Sequence, residues 1–238
     1  MFDRRRLFAV AGVSAVTAMV ALFIGVQMVP AADRGDLGGD AHGGSSVEFV
    51  GRAEQNFLSV SIFGYVTHVV GLDDASLFAT TNPLLRNQTN ARISFTATTT
   101  VSQAFQVLPQ PAVSSLFDTD SNGTLTFFFT ETPSGRTFDN PASFGSGTPI
   151  ASYTLRFQDV VAALVGVDPN RGVVDSNGQL CQQSVTAFRL GGETHRLGHP
   201  GAQQSVFTHG WTVRTNANPP QSFTHFGGHT DTLGDTQC

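Results

Sequence analysis

The sequence predicts an all-β fold, a single-domain antiparallel β-barrel or β-sandwich with at most one or two short helices. Three observations predict it. The chain holds 26 Thr alongside many Val, Ile and Phe, residue types that suit a pleated, half-buried surface. Several runs alternate apolar with polar residues, the period of a strand. Clusters of Gly, Pro, Asn and Ser punctuate those runs at the regular spacing of a barrel or sandwich.

Composition bounds the rest. At 238 residues, with 40% hydrophobic and 13% charged residues, the chain is too apolar for a disordered protein and too weakly charged for a coiled coil. Two cysteines are too few for a disulfide scaffold. A single domain of this size buries about 70% of the surface its unfolded chain exposes, so its core needs neither metal nor disulfide to be stable.

The N-terminus reads as an export segment. Arg4, Arg5 and Arg6 precede an uncharged apolar run from Leu7 to Val29, which Pro30-Ala31 closes. Arg5-Arg6-Leu7-Phe8 resembles the twin-arginine signal, with Arg4 where that signal usually has Ser or Thr. The reading divides the chain into a signal peptide over 1–31, a Gly-rich flexible linker over 32–47 and a β-rich globular domain over 48–238. An uncleaved membrane anchor is the alternative, because the run is long enough to cross a bilayer of about 30 Å. Either way the arginines stay cytoplasmic and the domain is periplasmic, extracellular or tethered facing outward. Membrane contact is then confined to the N-terminal segment. The whole chain carries a formal charge of −5, and removing three Arg with one Asp makes it more acidic, which argues against nucleic acid as a partner.

Within the domain, Leu58-Ser-Val60-Ser-Ile62, Ile93-Ser-Phe95-Thr-Ala97-Thr98 and Tyr153-Thr-Leu155-Arg-Phe157 alternate as strands do, and Phe207–Val213 reads as a further strand. Turns are expected at Thr81-Asn82-Pro83, Pro109-Gln110-Pro111, Ser121-Asn122-Gly123, Ser134-Gly135 and Asn177-Gly178. Asn122-Gly123 suits a type I′ hairpin ahead of a strand over Thr124–Thr130. Phe157, Val160, Val161 and Leu164 fall at helical spacing, with Gly166 as a terminator, and predict one short helix. The texture is similar to that of small exported barrels such as the lipocalins. That resemblance is architectural, rests on no motif and carries no residue across.

Candidate sites follow from residue chemistry. His195 and His199, and His225 and His229, form two His-x-x-x-His pairs with His209 between them. Positions i and i+4 share a face in a helix and in a strand, so each pair could offer two imidazoles to a divalent transition metal, with Glu193 assisting. Gly198, Pro200, Gly227 and Gly228 oppose this by making both pairs look like loops, and His209 is expected on the apolar side of its strand. Asp118-Thr-Asp120-Ser-Asn122-Gly123 resembles the opening of an EF-hand calcium loop, but the twelfth position is Phe129 rather than Glu. Calcium is therefore the weaker metal reading. In an exported chain Cys181 and Cys238 are expected to pair, closing a loop that contains all five clustered histidines.

The aromatic content bears on partners. Phe accounts for 20 aromatic residues against 2 Tyr and 1 Trp, and Phe has no polar tip for half-wet sugar contacts. The excess points inward, to a large core or an apolar cavity lined by residues such as Phe63, Phe95, Phe127, Phe207 and Trp211. The functional expectation is an exported or cell-envelope β-module binding a small apolar molecule. The alternatives are an enzyme using the histidine cluster for metal or acid–base chemistry, and a structural or adhesive surface protein. No nucleophile elbow or phosphate-binding loop is present.

Overall fold

The computed structural model describes residues 44–107, 115–164, 168–215 and 221–238. The expected signal segment, residues 32–43 of the expected linker and the Pro109-Gln110-Pro111 turn lie outside the described residues. Among the described residues ten strands run in order: β1 Gly44–Asn56, β2 Ser59–Val69, β3 Ile93–Val107, β4 Ser115–Phe129, β5 Thr148–Leu164, β6 Asp168–Val185, β7 Phe188–Leu190, β8 Glu193–His195, β9 Ala202–Arg214 and β10 Gln221–Gln237. Two short 3₁₀ turns, Pro83–Leu85 and Pro141–Gly145, complete the set.

Eight of the strands form a closed antiparallel barrel in the order β1-β10-β9-β6-β5-β4-β3-β2, and β7 pairs only with β8. Barrel rather than sandwich follows from β1, which pairs with β2 on one side and β10 on the other. Closure leaves the eight strands no unpaired edge. β1 starts at Gly44 and buries Ser46 and Val47, within the stretch expected to be linker.

Alternation places one face of each barrel strand inside, and most of the large buried apolar residues lie on that face. Phe49 on β1, Phe95 and Ala97 on β3, Leu125 and Phe127 on β4, Leu155 and Phe157 on β5, and Leu180 on β6 are all buried. Their outward neighbours Thr98, Thr124, Thr154, Arg156, Asp175 and Asn177 are exposed. Among the described residues no helix is long and apolar enough to cross a membrane.

The two ends differ. At one end the paired strands are joined by short connections, such as the β1–β2 turn at Phe57-Leu58. At the other, the longer connections after β2 and β6 bring Leu77, Phe78, Phe188, Leu190 and Leu197 into the core, and the one after β4 buries Phe144. Arg136, in the β4–β5 connection, is 1% exposed and donates to the backbone oxygens of Ala91 and Ser146 and to Thr130 Oγ1. It holds this end together through carbonyl and hydroxyl oxygens rather than a carboxylate, and burial lowers its pKa.

Three local expectations are corrected. Phe157–Leu164 is strand, not helix: Phe157, Asp159, Val161 and Ala163 form one face of β5, and the strand pairs with β4 and β6 along both edges. Two-sided pairing satisfies the backbone more fully than an isolated helical turn. Asn122-Gly123 and Asn177-Gly178 are not turns but lie in the middle of β4 and β6. Neither glycine is among the positive-φ residues, and each is used for close approach. A Cβ on Gly178 would meet Phe157 Cδ2 at 2.8 Å and Val206 Cγ1 at 3.1 Å, so its absence makes room for core side chains.

Candidate binding cavity

The barrel encloses a cavity of about 360 Å³ that extends from an aromatic floor to the end with short connections. That volume falls within the range of small-molecule sites. Phe49, Phe95, Phe127, Leu155, Phe157 and Phe226 are among the apolar residues that line it. The rings pack edge-on or tilted: Phe49 to Phe95 at 5.4 Å, Phe95 to Phe127 at 5.9 Å and Phe127 to Tyr153 at 5.8 Å between centroids. Gly51 and Gly64 face each other across β1 and β2 and leave space for the tips of Phe226 and Phe95. At the mouth the lining turns polar, with Gln55, Asn170, Arg214 and Gln221. Phe57 joins them and holds a φ of 56°, a conformation that aromatic residues seldom adopt.

One polar row crosses this apolar interior. Thr119 on β4 is opposite Asp159 on β5, Asp159 is opposite Ser176 on β6, and Ser176 is opposite Thr208 on β9. All four line the cavity. Ser176 Oγ donates to Asp159 Oδ1 at 2.5 Å, and the facing Thr119 hydroxyl also favours the ionised carboxyl. Burial pushes Asp159 up from 3.8 to about 6. The two hydroxyls oppose that rise, while the neighbouring Asp118 adds to it by repulsion. Asp159 is the only carboxylate lining the cavity among the described residues. On the adjoining strand β3, Thr99 Oγ1 lines the same space and makes no hydrogen bond within the described residues.

The sequence-based candidates divide between the two faces of the wall. Phe95 and Phe127 line the cavity. Phe63 is buried but on the opposite face of β2, where Phe138 and Phe144 cover it at 6.0 and 5.3 Å. Phe207 and Trp211 point outward from β9, 41% and 64% exposed, because inward positions on that strand fall to Val206, Thr208, Gly210 and Thr212. The apolar-lining expectation for Phe63, Phe207 and Trp211 is thus corrected by strand parity.

The five histidines do not converge. His195 is buried in β8 beside Phe188, with Nε2 3.3 Å from Leu190 O. His199 lies in the turn before β9 and contacts Pro200 O at 3.2 Å. His209, His225 and His229 do share the outer face of β9 and β10, but each has its own partner. His209 Nδ1 is 2.5 Å from Asp175 Oδ1, the His225 ring meets Phe138 at 6.2 Å, and His229 packs on Phe207 at 5.4 Å. His209 is exposed, not on the apolar side as expected. Glu193 is exposed in β8. Among the described residues no group of three or more His, Cys, Asp or Glu could hold a metal ion. The calcium-like residues Asp118, Asp120 and Asn122 are strung along extended β4, where alternate side chains are about 6–7 Å apart and cannot wrap an ion.

Cys181 and Cys238 form a disulfide, with Cα atoms 5.9 Å apart. The bond ties the chain end after β10 to β6, across the first residues of β9.

Asp159, Ser176, Thr119 and Thr208 escaped the sequence reading. A signal for Asp159 existed: Tyr153, Leu155, Phe157, Asp159, Val161 and Ala163 continue one alternation, which the helical reading interrupted. Compared with protein-family models, curated proteins and solved structures, the chain finds no match.

Proposed function

We propose that this chain is an exported binding protein whose barrel interior accepts one small, mainly apolar molecule. The observation that carries the reading is the cavity of about 360 Å³, floored by Phe95, Phe127 and Phe157 and reaching the end with short connections. Small barrels fill their interior with side chains or hold one ligand, and a lining this apolar favours the second use. Export is supported by the arginine-led apolar N-terminus and by the disulfide, a bond that persists in oxidising compartments.

Native mass spectrometry of freshly purified protein, followed by titration with the neutral apolar dye Nile red, tests the proposal. The expected outcome is a one-to-one complex whose dye fluorescence is abolished by Leu155→Trp, a substitution that fills the cavity without touching the outer wall. Absence of any adduct and of any dye binding would overturn it.

A further inference from the structure

From the polar row inside the barrel, we infer that the ligand's polar end is a hydrogen-bond-donating amine or hydroxyl, received by Asp159 with Ser176, Thr119 and Thr208 around it. The inference rests on the binding function proposed above and specifies the chemical class of the ligand. The apolar lining dictates the body of the ligand, and the row dictates its head.

The row is a built feature rather than scattered polarity. Four successive strands, β4, β5, β6 and β9, contribute one polar residue each at mutually paired positions. On β5 the inward neighbours on either side are Phe157 and Val161, and on β6 the preceding inward residue is Val174. A carboxyl held in such surroundings is costly to ionise unless it meets donors. Ser176 and Thr119 supply two of them from the wall. A carboxylate offers about four lone-pair positions, so its remaining acceptor capacity faces a guest in the cavity.

Charge decides which guests suit it. A ligand carboxylate placed against Asp159 would set two acids side by side and require them to share a proton. An ammonium or hydroxyl head would instead form a charge-assisted hydrogen bond. The basic residues on the same lining, Arg171 and Arg214, are five residues from Ser176 along β6 and six from Thr208 along β9, about 16–20 Å of strand, and mark the mouth rather than the row. That separation leaves the inner carboxyl without an adjacent wall cation.

Decylamine, decan-1-ol and decanoic acid share one apolar tail and differ only at the head. Their competition against Nile red, measured with the full chain and with Asp159→Asn at pH 8, tests the inference. Wild type is expected to bind decylamine at least tenfold more tightly than decanoate, with decanol between them, and Asp159→Asn to lose that order while still binding the dye. Equal competition by all three heads, or the same order surviving in Asp159→Asn, would overturn the inference while leaving the binding function standing. A preference that survives would reflect only the acidic net charge of the protein. Failure of the dye and of every probe would instead overturn the binding function itself. Should Asp159→Asn not fold by circular dichroism, Asp159→Leu repeats the test with an apolar group in the row.

Discussion

Ser176 Oγ and Asp159 Oδ1 meet at 2.5 Å across the paired strands β5 and β6, on the inner wall of a mainly apolar barrel. The contact sets two opposing effects on one carboxyl. The hydroxyl favours the ionised form, burial favours the neutral form, and burial wins, bringing Asp159 to about 6.

A pH dependence follows with a defined sign. Between about pH 4 and pH 6 the folded chain keeps a proton on Asp159 that the unfolded chain releases, so this group's contribution to stability falls as pH rises through that window. Above it, ionised Asp159 costs at most about 3 kcal/mol, less where solvent reaches the cavity. Asp159→Asn is therefore expected to raise the urea midpoint at pH 8 and to lose most of that advantage near pH 4. A variant less stable than wild type at both values would contradict the assignment.

The disulfide closes 57 residues of chain, and opening it should be costly. Cys238→Ser is expected to lose roughly 2–4 kcal/mol, mainly through greater freedom of the unfolded chain. Urea unfolding with and without reductant measures it. Reductant should shift the wild-type midpoint down to that of the variant and leave the variant unmoved. An unchanged wild-type midpoint would show that the bond does not stabilise the fold.

Gly64 is predicted to resist substitution for reasons of space. A Cβ there would lie 2.2 Å from Val50 O and 2.6 Å from Phe95 Cζ, so Gly64→Ala must displace backbone or ring and should cost about 1–3 kcal/mol. Gly227, on the outer side of β10, is the control. Its nearest neighbours to an added Cβ are at 3.9 Å, and Gly227→Ala should stay within about 0.5 kcal/mol of wild type. Equal effects at the two positions would contradict the inward assignment of Gly64.

Trp211 is the one tryptophan in the chain, and at 64% exposure it reports on the outer wall. Its emission is expected at the wavelength of a solvated indole, open to quenching by iodide, and unmoved when an apolar molecule fills the barrel. A ligand-induced blue shift, or protection from quencher, would place binding on the outer face of β9 and β10 instead.

Much of the architecture was legible in residue order. Alternation in Ile93–Thr98 and Tyr153–Phe157 marked true strands, and the cysteine pairing was expected from an even number in a chain read as exported. The errors share one cause. Asn177-Gly178 carries the signature of a turn, and Val160-Val161 with Leu164 carries a helical spacing, because local chemistry is compatible with more than one backbone. Pairing on both edges of β5 and β6 removed that ambiguity, and core rings claimed the space beside Gly178.

By itself, then, the sequence determined the β class, the disulfide pair and a Phe-rich interior, since these depend on composition, period and number. Tertiary structure alone decided that the sheet closes, that Phe63, Phe207 and Trp211 face away from the cavity, and that Thr119, Asp159, Ser176 and Thr208 stand in one row. A strand's two faces are equivalent until its neighbours set the register, and a site assembled from four strands exists only once all four are paired.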